Sequence, residues 1–227
     1  MDTAAVAAFF AAHPRLRLAS LGHADNFGAL DMCPLGVTAE TYAAAAAPDL
    51  VARYHAANAA AFGGPLALPG WVLVDLYLLP SVVTLILDDH DEVVAAWCGV
   101  PTASPGVVMG VSLFSTRPGL GAAGVVKACG VAMHRAHTQR GITQWDNPAL
   151  RAHCRLGPLR VVGPAPRAHG EADRSFVYEC AIGARAAAPE WWIPAAEGPR
   201  VALEAAAGAA RWVVAPGLQQ GRVAIAG

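Results

Sequence analysis

Hydrophobic positions along this chain change their period near residue 82, from an alanine-rich helical stretch to a run of short strands. Before the change, residues 3–12 read as a short helix and 16–21 alternate as a first strand. Residues 38–61 read as helix divided at Pro48, where proline suits a first turn and Asp49 complements the helix dipole. Gly63, Gly64 and Pro65 end it. After the change, residues 82–87 form a β-branched apolar run, 88–92 a polar turn and 93–100 a second run, which together predict a hairpin. A turn over 101–106 leads to a third strand over 107–114. A long helix is expected over 122–139, with Val125, Val126, Cys129, Met133 and Ala136 at helical spacing and Arg140–Gly141 closing it. Then come a short strand over 142–145, a short helix over 147–156, and strands over 159–162 and 176–182. The tail from 184 holds Trp191–Trp192, a helix over 201–211 and two short strand-like pieces.

Composition narrows the function classes. The chain has 227 residues, 55% of them hydrophobic and 15% charged, which suits one core-forming domain with at most a small appendage. A net charge of −1 with no run of Lys or Arg gives no reason to expect nucleic acid or an anionic membrane as partner. Five scattered cysteines without a Cys-x-x-Cys pair argue against a disulfide framework or a cysteine zinc site and point to the reducing cytoplasm. The start of the chain lacks the positive n-region of a secretory signal. The apolar stretch from Trp71 to residue 87, interrupted by Asp75 and Pro80, is shorter than the roughly 20 residues that span a bilayer and reads as a buried strand or helix. His134 and His137 are three apart, not the i, i+4 spacing of a helical metal pair, and no metal is expected. Asp88, Asp89, His90, Asp91 and Glu92 read as a solvated hairpin turn rather than a metal cluster.

The stretch with chemical content is Ser115-Thr116-Arg117-Pro118-Gly119-Leu120-Gly121-Ala122, between a strand and a helix. Glycines permit a tight loop whose N–H groups point inward, and a helix N-terminus adds the positive end of its dipole. Such a loop is an anion cradle, and it also occurs as an ordinary strand-to-helix turn.

In order of elements and in two motifs, residues 82–182 resemble the GNAT acetyltransferase superfamily. The family's pyrophosphate loop, Gln/Arg-x-x-Gly-x-Gly/Ala, matches Thr116 to Gly121 at both glycines, with Thr116 where Gln or Arg is usual. Its Asn-x-x-Ala and Tyr-x-x-Leu-Gly-Phe pattern is similar to Asn147-Pro148-Ala149-Leu150 and His153-Cys154-Arg155-Leu156-Gly157, with His153 at the tyrosine position and Pro158 in place of the aromatic. The resemblance implies an α/β fold of GNAT type: a mixed, mostly antiparallel sheet flanked by helices. It implies acetyl-CoA or another acyl-CoA as co-substrate, held by Val111 and Leu113 on the strand and by Thr116, Arg117, Gly119, Leu120, Gly121 and Ala122. It implies N-acyl transfer to a small amine, with His153 as acid to the leaving thiolate and Glu92, Asp146 or Asp75 as base. The expected division is an acyltransferase domain over 1–183, its first 80 residues forming the acceptor side, and an extension over 184–227 that packs on it or forms a homodimer contact through Trp191–Trp192. The alternative is a GNAT-fold protein that binds an acyl thioester as a sensor without transferring it.

Overall fold

The computed structural model describes residues 2–63, 81–167 and 171–227, so Asp75 and the apolar residues 71–80 lie outside the described residues. The chain forms two compact units, 2–136 and 137–227. Among the described residues, no helix is long and apolar enough to cross a membrane.

The first unit contains α1 (Thr3–Ala12), β1 (Arg17–Gly22), β2 (Glu40–Ala43), α2 (Pro48–Phe62), β3 (Val82–Leu87), β4 (Val93–Pro101), β5 (Val107–Ser115) and α3 (Ala122–Met133). Its strands lie in the order β2-β1-β3-β4-β5. β1 and β2 run parallel and the other pairs antiparallel, so the expected hairpin and third strand are in place. Alternation along β1 assigns the faces. Ala19 and Leu21 pack with Leu50, Val51 and Tyr54 of α2, whereas Leu18 packs with Val6 of α1 and with Cys129 and Met133 of α3. Covered on both faces, β3 has no solvent side, which is why Val82–Leu87 is apolar without alternation.

Residues 38–47 carry β2 and a short 3-10 turn rather than the first half of a helix. Four residues of β2 pair with β1, and that long-range ladder overrides the helix propensity of alanine. The long helix stops at Met133, not near 139, because Arg135 adopts φ 49 and the N–H of Ala136 turns back to the Val131 carbonyl. Arg140 and Gly141 therefore stand inside the next strand.

The second unit contains β6 (Thr138–Gln144), α4 (Leu150–Cys154), β7 (Leu159–Pro164), β8 (Ser175–Ala181), β9 (Trp191–Pro194), α5 (Gly198–Ala206), β10 (Trp212–Gln219) and β11 (Arg222–Ala226). The order is β6-β8-β7-β10-β11-β9, with every pair antiparallel. Residues 184–227 thus belong to the same compact unit as 137–183, joined by β10 beside β7. Trp192 packs on Val214, Ala224 and Ala226, while the Arg211 guanidinium stands 5.7 Å from the Trp191 ring centre.

Where α3 crosses β4, the Trp97 indole is 1% exposed. A Cβ on Gly130 would stand 2.2 Å from that ring and one on Gly99 would stand 2.5 Å from it. His134 closes the same cluster edge-on, 5.9 Å between ring centres, and its buried Nε2 has no hydrogen-bond partner among the described residues. Burial pushes the His134 imidazole down to about 4.

Two outcomes follow from this packing. Gly130→Ala gains up to about 1 kcal/mol of helix propensity but overpacks the indole, which costs typically about 1–3 kcal/mol. Urea denaturation is expected to show net destabilisation. His134 is neutral when folded and takes up a proton more readily when unfolded, so its contribution is complete above about pH 6.5 and is lost as pH falls toward about 4. His134→Leu is expected to shrink the stability difference between pH 7 and pH 4 by roughly 2–3 kcal/mol, measured by denaturant melts at both pH values.

Candidate functional site

In the first unit, β5 leads directly into the loop. Cys98 pairs with Ser112 and Gly99 with Gly110, so Val111 is an extra residue in β5, a bulge. Its side chain is 46% exposed, whereas Leu113, opposite Trp97, is half-buried. Behind the strand, the Ser112 hydroxyl lies 3.3 Å from the Tyr54 hydroxyl, and burial pushes the Tyr54 phenol up.

Past Ser115 the chain is pinned to the start of β4. The Thr116 N–H donates to the Val94 carbonyl at 2.9 Å, and its hydroxyl donates to the Val93 carbonyl at 2.8 Å. The Ser115 hydroxyl bonds to the Val94 and Arg117 carbonyls. Thr116 therefore anchors the base of the loop with its side chain turned to β4. Gly119 and Gly121 follow at φ 84 and φ 81, and a Cβ at either would meet nothing within 4 Å. That backbone suits glycine, and the space beside it is open. Gly121 caps α3 without a side-chain hydrogen bond, while the N–H groups of Gly124 and Val125 return to its carbonyl. Ala122 is buried behind it. Ahead of Gly124, the N–H groups that open α3 have no acceptor within the helix, so an anion lying over Gly119–Gly121 would meet them.

Arg117 reaches out of the loop to the turn 88–92, where its guanidinium pairs with the Asp88 carboxylate. Asp88 is 6% exposed, unlike the solvated turn expected from sequence. Its Oδ1 accepts the N–H groups of His90 and Glu92, both at 3.0 Å. Burial opposes the charge of Asp88, but these two donors and Arg117 outweigh it and hold the carboxyl below the usual range. Arg17 binds the Asp88 carbonyl and the Asp91 carboxylate from the β1 side. Glu92 is on the same turn, with Oε1 3.7 Å from Arg53 and the side chain mostly in solvent. The sequence reading missed Asp88. Its signal was positional: an aspartate opening a turn accepts N–H groups two and more residues on.

In the second unit, Asp146 follows β6, exposed and paired with Arg174. His153, on α4, is 6% exposed and buried in the unit. Its Nδ1 lies 3.2 Å from the Tyr178 hydroxyl, which accepts from Gln139 Nε2 at 3.1 Å. Burial pushes the Tyr178 phenol up. Tyr178 was also missed, because only the pairing of Gly141 with Tyr178 across β6 and β8, and the fold of α4 onto them, bring these groups together.

No family model matches the chain, and no curated protein is similar to it in sequence. Solved structures are similar to part of it. An aminoglycoside 6'-acetyltransferase of type Ii is 17% identical, with a TM-score of 0.45 over 61% of this chain and 94% of that one. Mutant forms of the spermidine/spermine N-acetyltransferase SpeG from Vibrio cholerae are 10% identical, with a TM-score of 0.44 over 74% of this chain and 92% of that one. A tandem GNAT protein from the clavulanic acid biosynthesis pathway is 16% identical, with a TM-score of 0.42 over 66% of this chain and 46% of that one. The likeness is thus a partial one, over 61–74% of this chain and at no more than 17% identity.

Proposed function

We propose that the chain is an acyl-CoA-dependent N-acyltransferase acting on a small amine. The observation that carries this reading is the loop ahead of α3. Two glycines at positive φ border open space at a helix N-terminus, which suits a ligand with adjacent phosphates such as coenzyme A. In the reaction a neutral amine attacks the thioester carbonyl, the C–N bond forms, the C–S bond breaks and the thiolate leaves with a proton. The developing oxyanion needs fixed donors. The bulge at Val111 supports β5 as their source, since an extra residue leaves backbone groups outside the ladder.

In this reading His153 protonates the thiolate. For that role His153 acts as an imidazolium: its Nδ1–H donates to the Tyr178 hydroxyl, which also accepts from Gln139, and the proton to be delivered sits on Nε2. Glu92 and Asp146 are the carboxylates proposed to draw a proton from the amine. A second reading, binding of the acyl thioester without transfer, is favoured by the engagement of both carboxylates with arginines and by the burial of His153.

Calorimetry with acetyl-CoA tests the loop. Wild type is expected to bind and Gly121→Glu to lose binding, because the new side chain fills the cradle with a like charge and strains a backbone at φ 81. Equal heats from the two proteins would sink the assignment. Steady-state kinetics over a panel of small amines tests His153. His153→Phe is expected to lower kcat by about a hundredfold or more with acetyl-CoA affinity unchanged. An unchanged kcat removes His153 from the reaction, and binding of acetyl-CoA without turnover of any amine leaves the second reading standing.

A further inference from the structure

The pairing of Arg117 with Asp88 has features that an incidental surface ion pair lacks. Its acidic partner is buried, while Arg117 itself keeps 49% of its side chain exposed. Asp88 is fixed from three sides: Oδ1 by the N–H groups of His90 and Glu92, Oδ2 by Arg117, and its carbonyl by Arg17. Arg17 in turn is held by Glu40 of β2 at 3.0 Å and by Asp91. The turn is thereby a post tied to β1, β2 and the β3–β4 hairpin, and the Arg117 guanidinium rests on it.

We propose that Asp88 is a positioning residue for the phosphate-binding loop, holding Arg117 so that its remaining N–H groups serve the pyrophosphate of an acyl-CoA. The inference rests on the function proposed above. A guanidinium carries five N–H donors in a planar fork, and one edge on Asp88 leaves the others for a phosphate. A flexible arginine would lose side-chain freedom on binding, whereas one already held loses little. The charge of Asp88 is met by two backbone donors and Arg117, so it repels an incoming phosphate weakly. Positioning therefore outweighs repulsion, and removing the carboxylate weakens phosphate binding rather than strengthening it. Thr116, where a longer polar side chain is usual in the resembling family, is turned into the base of the loop, which leaves Arg117 as the cation at its rim.

The test compares two ligands on the full chain by calorimetry: acetyl-CoA, and acetyl-pantetheine, which lacks the pyrophosphate. Asp88→Asn keeps an oxygen to accept the N–H groups of His90 and Glu92 while removing the charge. It is expected to raise the Kd for acetyl-CoA about tenfold and to leave acetyl-pantetheine unchanged. Arg117→Gln, at a half-exposed side chain, is expected to give the same split. The double variant should be no weaker than Arg117→Gln alone, because the two residues act as a unit. Equal losses for both ligands would mark a general loosening and overturn the proposal. So would wild-type or tighter acetyl-CoA binding by Asp88→Asn, or additive losses in the double variant. If wild type binds neither ligand, the acyl-CoA reading itself fails and the proposal falls with it.

Discussion

The indole of Trp97 fills the crossing of α3 over β4, and it fits there because Gly99 and Gly130 present no side chains to it. This contact sets how closely the helix lies on the sheet. The height of α3 fixes where its first turn emerges after Gly121, and hence the geometry of the loop that follows β5. Large aromatic packing and glycine close approach are one constraint seen from two sides: the ring supplies the buried area and the glycines supply the room. Thr84 and Met133 complete the contact, with the Thr84 hydroxyl 3.7 Å from the Met133 sulfur.

Charged groups are used differently in the two units. In the first, Asp88 is buried and its charge is shared among two backbone N–H groups and Arg117. In the second, Glu179 of β8 lies between Arg140 of β6 and Arg160 of β7 on one face of the sheet. Its carboxyl is held below the usual range chiefly by Arg160, against some burial. A cross-strand trio of this kind pins register more than it adds stability, since half-exposed ion pairs contribute little.

What could be read in the sequence was what local pattern decides. The hairpin of β3 and β4, the strand β5 and the glycine-opened α3 each carry their own period and their own turn residues. The C-terminal end of α3 was not legible, since Arg135 enters the left-handed region where no glycine advertises it. β2 was hidden by alanines that favour helix until a partner strand supplies a ladder. The bulge at Val111 arises from the register of β5 against β4, which no single segment encodes. At the candidate site, the loop glycines were readable for the same local reason that α3 was. Asp88 and Tyr178 were not, because each takes its importance from a residue far away in sequence: Arg117 for one, His153 and Gln139 for the other.

Residues 184–227 lie outside the resemblance, yet β10 runs beside β7 at Leu159 and Arg160, and the Val161 N–H donates to the Arg211 carbonyl at 2.8 Å. During vectorial synthesis that edge of β7 stays uncovered until some fifty further residues have been made. A nascent chain in that interval displays a bare ladder of donors and acceptors, the template on which neighbouring chains join into aggregates. Arg160 and the exposed Val162 lie on that strand, and only the charged one of the pair acts as a gatekeeper against such joining. The extension thus covers β7 and moves the open edge of the sheet to the four-residue β9, a far shorter template.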